Sequence, residues 1–127
     1  MNKKTSLSAG LVIRAMLNAN KELAGKVTKI FPISIREVEL PYISYRRASL
    51  EQDITKSGGA DTVNIEIICY ARTYEESITI AELVRESIEF KTGDASGLLL
   101  RRCFLVDSTE TWADDAYMQR LIFQVKI

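Results

Sequence analysis

Apolar and polar positions alternate most regularly over Thr62 to Ala71, where Val63, Ile65, Ile67 and Cys69 line one face and Asn64 and Glu66 begin the other. Ile68 and Tyr70 then make the second face apolar as well, which predicts a central strand with its far end covered on both sides. Period two returns in Ala116 to Ile127. There Leu121, Phe123, Val125 and Ile127 alternate with Ile122, Gln124 and Lys126, the pattern of a sheet with one face on the core and one partly wet. Leu98 to Ser108 reads as its partner strand, around a loop from Thr109 to Asp115. Lys26 to Phe31 is a short strand stopped by Pro32, and Tyr42 to Ser49 a further strand, whose start tolerates Pro41 because a first residue can lack a ladder donor. Between them, Ile33 to Leu40 carries no assignment. Glu51 to Asp61 is polar, contains Lys56-Ser57-Gly58-Gly59 and predicts a mobile hairpin loop.

Helical spacing governs two segments. Ser6 to Leu23 predicts a helix with Ser6 as N-cap, Gly25 just past its end, and Val12, Ala15, Met16, Ala19 and Leu23 on one face. Leu7 and Leu11 fall on the opposite side, so a second apolar face awaits a covering loop or a partner subunit. Thr73-Tyr74-Glu75-Glu76 is a capping box, threonine at the N-cap and glutamate three residues on. The helix it opens runs to about Phe90 with Tyr74, Ile78, Ala81, Val84 and Ile88 as the expected buried stripe. Glutamates cover much of the rest, interrupted by Leu83 and Phe90. The order is α-β-β-β-α-β-β. Short connections dominate, so the expected fold is α+β, a largely antiparallel sheet with two helices packed on one face. Residues 1–127 are expected to form a single domain.

Composition narrows the function more by exclusion than by assignment. Seventeen basic and seventeen acidic side chains balance and there is no histidine. Zero net charge argues against a protein whose main task is neutralising phosphates. No apolar run is long enough to span a bilayer. The basic start, Met1-Asn2-Lys3-Lys4-Thr5, is not followed by the apolar stretch of a signal peptide. Without histidine, Ser-His-Asp and Cys-His arrangements are impossible, and Ser57-Gly58-Gly59-Ala60-Asp61 lacks the lysine-hydroxyl ending of a phosphate loop. No catalytic, cofactor-binding or metal-binding residues are expected. Asp107, Glu110, Asp114 and Asp115 cluster near the last turn, but their spacing fits no calcium loop; they read as a solvated turn or as a charged contact with a partner. Cys69 and Cys103 read as buried reduced thiols, with a disulfide as the alternative.

Five residues are candidates for an interface: Leu7, Leu11, Leu83, Phe90 and Trp112. The first four place a second apolar spot on each helix, and a tryptophan in a hairpin either folds back onto the sheet or anchors a partner. Arg46-Arg47 and Arg101-Arg102 should each send one arginine to either face of the sheet. The inward one is expected to meet a helix glutamate, or else to serve subunit contacts or a ring lining.

The order of local phrases resembles the bacteriophage tail-completion, or tail-terminator (head-tail joining), family of minor tail proteins. An apolar helix is followed by Gly25-Lys26-Val27-Thr28-Lys29-Ile30-Phe31-Pro32, then by Leu40-Pro41-Tyr42-Ile43-Ser44-Tyr45. A strand ending Ile68-Cys69-Tyr70-Ala71 precedes Thr73-Tyr74-Glu75-Glu76-Ser77 and a helix through Ala81, Leu83 and Val84. Arg102-Cys103-Phe104-Leu105 and Tyr117 to Val125 close the set. The resemblance runs from about Leu7 to Ile127 and carries no catalytic residues. It implies a structural protein of the virion tail, assembled in the host cytoplasm, that caps the tail tube as a ring, often hexameric, and stops tube growth. Its implied partners are itself, the major tail tube protein and the head-tail connector protein, with DNA only as passing cargo and no membrane. A neck component and a ferredoxin-like, dimeric, small-molecule-binding regulatory module are the alternatives.

Overall fold

The computed structural model describes residues 5–33, 38–52, 61–95 and 97–127. A 3₁₀ turn at Ser6–Ser8 leads into helices α1 (Ala9–Ala19) and α2 (Lys21–Lys26). Strands β1 (Lys29–Pro32), β2 (Tyr42–Glu51) and β3 (Thr62–Ala71) follow, then helix α3 (Tyr74–Ile88). A small hairpin, β4 (Gly93–Ala95) and β5 (Leu98–Leu100), precedes the long pair β6 (Arg102–Ala113) and β7 (Ala116–Lys126). The main sheet has the order β1-β2-β3-β7-β6. Every pairing in it is antiparallel except β1 with β2. The expected α+β class and mainly antiparallel sheet are therefore what the chain forms.

β3 occupies the centre, as its double-sided apolar pattern requires. Val63, Ile65, Ile67, Cys69 and Ala71 are fully buried and stand beside Val125, Phe123, Leu121, Gln119 and Tyr117 of β7. Ile43 and Tyr45 of β2 continue this face on the other side. α1 and α3 pack on it: Val12, Ile13, Leu17, Ile80, Val84 and Ile88 close the core. The β4–β5 hairpin covers α1 from outside. Gly93 lies so close to Met16 that a Cβ there would meet the sulfur at 2.5 Å, which accounts for a glycine at that position. Cys69 and Cys103 are buried free thiols, and burial pushes Cys103 up to about 12, helped by the charge of Glu89.

Several elements differ from the sequence pattern, each for a local reason. The first helix breaks at Asn20, which takes an extended conformation; its Oδ1 accepts from the Glu22 and Leu23 amides and so starts α2. Gly25 consequently lies inside α2. The first cap is Thr5, whereas Ser6 is buried and its hydroxyl donates to Asp61. In α1 the buried stripe is Ala9, Val12, Ile13 and Leu17, with Ala15 and Ala19 exposed. In α3, Ser77 and Ser87 sit on the buried face, each hydroxyl donating to a backbone carbonyl of its own helix, Tyr74 or Leu83. The buried stripe is rotated to match: Val84 and Ile88 are inward as expected, joined by Ile80 and Leu83, while Tyr74 and Ile78 lie outward. The expected loop from Thr109 to Asp115 shrinks to Asp114–Asp115. Both have positive φ (52° and 60°), the mirror-image turn that suits two-residue hairpins, and cross-strand pairing runs up to Ala113 and Ala116. Between α3 and the expected strand that begins at Leu98 lies one further strand, β4. Lys56, Ser57, Gly58 and Gly59 lie outside the described residues.

Phe123 is the largest fully buried side chain. Phe123→Ala is expected to cost about 3–5 kcal/mol, through lost transfer energy and the cavity left behind. Urea unfolding followed by circular dichroism checks this; a loss below about 1 kcal/mol would contradict the assigned core.

Candidate surfaces for assembly

The strand period places Glu66 on the sheet face opposite the helices, yet it is only 5% exposed. A buried carboxylate must be paired or neutralised. Arg46 of β2 donates from Nε to its Oε1 at 2.6 Å, and Arg120 of β7 donates from Nε to Oε2. Burial alone would raise the Glu66 carboxyl; the two guanidiniums outweigh it and hold the group below its ordinary range. Arg46 thus pairs with a strand carboxylate on the face away from the helices. Its neighbour Arg47 points the other way, as predicted, and donates to the Leu7 carbonyl where a helix glutamate is expected. Along the same face, Phe31, Tyr42 and Tyr70 form an aromatic row, with ring centroids 5.7 Å and 4.5 Å apart.

Two clefts lie on the helix side at opposite edges of the sheet. At the β1–β2 edge, Leu7, Leu11, Arg14, Ile33, Tyr45 and Arg47 line a groove of about 310 Å³. Leu7 is 65% exposed and Leu11 42%, so the second apolar side of the first helical segment is open. The basic rim is held in place from both sides: Arg14 lies against the Tyr45 hydroxyl, and Arg47 is tied to Leu7.

At the β6–β7 edge, Tyr74, Glu110, Trp112, Tyr117 and Gln119 line a cleft of about 220 Å³. The hairpin pairs Trp112 with Tyr117 and Glu110 with Gln119. Tyr74 meets Tyr117 edge-on at 6.1 Å and donates its hydroxyl to both Glu110 oxygens at 3.1 Å. Hydrogen bonding to Glu110, and then that carboxylate's charge, raise the Tyr74 hydroxyl above its usual value. Gln119 donates to Glu110 at 3.0 Å and to Ser77 at 3.2 Å, linking the cleft to the buried face of α3. No salt bridge to Glu110 occurs among the described residues. Trp112 is 57% exposed.

The five interface candidates therefore do not form one patch. Leu7 and Leu11 share the groove, and Trp112 belongs to the acidic aromatic cleft. Phe90 is exposed just beyond α3 with φ 60°, its amide bonded to the Cys103 carbonyl, and lines neither cleft. Leu83 is withdrawn as a contact residue: at 6% exposure it belongs to the core, carried inward by the rotated stripe of α3. Ile33 and Tyr74 are surface residues that the sequence pattern does not single out, and Glu110 stands in it only as one of four acids read as a solvated turn or a partner contact. Ile33 fell in an unassigned stretch, and Tyr74 was placed in the buried stripe. Glu110 was grouped with Asp107, Asp114 and Asp115, but among the described residues no three such side chains gather into a metal-binding group. Among the described residues no helix is long and apolar enough to cross a membrane.

The Glu66 geometry generates a signed pH dependence. A carboxyl held below its unfolded value stabilises the fold above that value, and the contribution is lost as pH falls through the lowered folded value. Tm of the wild type is expected to fall more steeply than that of Glu66→Gln below about pH 4.5, the ordinary value of this carboxyl. Parallel profiles in differential scanning calorimetry would show that the two arginines do not hold the carboxylate ionised.

The model of one protein family, described as tail completion protein gp17, matches residues 12–127. No curated protein matches the chain. Among solved structures, a chain from the "Virion of native gene transfer agent (GTA) particle" shares the fold with a TM-score of 0.81. It is 16% identical, over 96% of this chain and 98% of that one. The bacteriophage SPP1 gp17 protein aligns with a TM-score of 0.49 and 18% identity, over 90% of this chain and 88% of that one.

Proposed function

This chain belongs to the tail completion protein gp17 family, a family of phage tail structural proteins, and on that premise we propose that it closes the tail tube as a ring and joins it to the head-side connector. The observation that carries this reading is the family match over nearly the whole chain. Two features of the fold support the ring. A closed ring uses heterologous contacts, so each subunit must present two different patches. Here a basic aliphatic groove and an acidic aromatic cleft stand at opposite edges of one sheet.

The chain acts as one domain over residues 1–127 and contributes no catalysis. The groups on its surface clefts are matched to contact: tryptophan, tyrosine and arginine are the residue types that most often anchor interfaces, and the exposed leucines add apolar area around the arginines. Its partners are further copies of itself, the major tail tube protein and the connector, on the tail of the virion after assembly in the host cytoplasm. DNA passes through the ring as cargo. Balanced charge suits that role, since a strongly basic lumen would retain phosphates and slow passage.

Negative-stain electron microscopy of the purified protein, alone and mixed with tail tubes of the same phage, tests the proposal. Caps confined to one tube end, with tube growth halted where they sit, are expected. Bare tube ends at saturating protein would overturn it.

A further inference from the structure

We infer that the Glu110–Trp112 cleft of one copy receives the arginine-rimmed Leu7–Leu11 groove of the next, and that this contact is the repeating joint between subunits. The inference rests on the ring reading and names the surfaces that make it.

Three observations lead to it. The first is charge. Glu110 accepts hydrogen bonds only from neutral groups, the Tyr74 hydroxyl and the Gln119 amide, among the described residues. The cleft lining contains no basic side chain to offset that charge. The groove presents Arg14 and Arg47, which pair with a hydroxyl and a carbonyl and not with a carboxylate among those residues. A guanidinium has five donors, and one or two such bonds leave others to give. Each cleft therefore holds the charge the other lacks.

The second is the apolar content. Trp112, Tyr74 and Tyr117 surround the carboxylate, and an arginine entering there would meet aromatic faces as well as a negative charge. Leu7, Leu11 and Ile33 are exposed around the arginines and offer aliphatic surface for the indole of Trp112. The third is placement. Both clefts open on the helix side of the sheet, one at the β1–β2 edge and one at the β6–β7 edge. A contact between them is head-to-tail, the type that closes into a ring and not into an isologous dimer. The β6–β7 side is also preorganised, since the chain Ser77–Gln119–Glu110–Tyr74 fixes the carboxylate before any partner arrives.

Charge reversal on each side tests the joint. One variant carries Arg14→Glu with Arg47→Glu, the other Glu110→Lys. Each alone is expected to lose tube capping at least tenfold. An equimolar mixture is expected to restore it, because alternating copies again present opposite charges at every joint. As a fold-independent check, Leu7→Cys and Trp112→Cys in one chain should give disulfide-linked multimers on tubes under mild oxidation, the two native thiols being buried. Caps that form normally in both charge variants, without cross-links, would overturn this contact while leaving the ring reading intact. A protein that stays single on tubes in every form would overturn both.

Discussion

A carboxylate cannot sit charged in the middle of a sheet without cations, and Glu66 is the point around which the three central strands are registered. It lies on β3, the strand with neighbours on both sides, and draws one arginine from β2 and one from β7. Side chains alternate faces along a strand, so a slip of one residue in β3 would send Glu66 into the core. It would also turn Val63, Ile65 and Ile67 away from the helices. Apolar burial drives the sheet against α1 and α3, but it would tolerate more than one pairing. The arginine–glutamate–arginine bridge penalises the alternatives.

The same logic recurs at smaller scale on the helix side. Ser77, Ser87, Asn20 and Gln119 are polar groups placed where the core begins, and each is bonded within the fold. Among the described residues no buried side-chain nitrogen or oxygen lacks a partner. Asn20 caps α2 while its amide nitrogen reaches Ser87 on α3, so the break in the first helix also fixes how the helices sit together. Gln119 spans from Ser77 to Glu110 and carries this rigidity out to the surface cleft. Core architecture and assembly surface are in this way parts of one hydrogen-bonded system.

The strands and the second helix were legible because their periods are strong: Val63 to Cys69, Leu121 to Ile127, and the Thr73 capping box. Faces and boundaries were not. A serine that returns its hydroxyl to its own helix carbonyl can occupy a buried position, so hydrophobicity alone misplaced the α3 stripe and assigned Leu83 to the surface. An Asp-Asp pair can adopt the positive φ that hairpins favour, but it lacks the glycine that usually signals such a turn, so the last hairpin was read with a long loop. Leu7, Leu11 and Trp112 were found at the sequence level as apolar residues out of phase with their elements. Glu110 was not separable from the neighbouring acids, because only β-pairing opposite Gln119 shows which way it faces.

The family assignment and the geometry meet in one proposal, in which the two clefts at opposite edges of the sheet join neighbouring copies. A cryo-electron microscopy reconstruction of the head-proximal tail end from intact virions tests it most directly. The expected map shows copies of this fold in a closed ring at the end of the tube, with Trp112 and Glu110 of each copy seated against Leu7, Leu11 and Arg14 of its neighbour. A tail end without this fold would contradict the central claim.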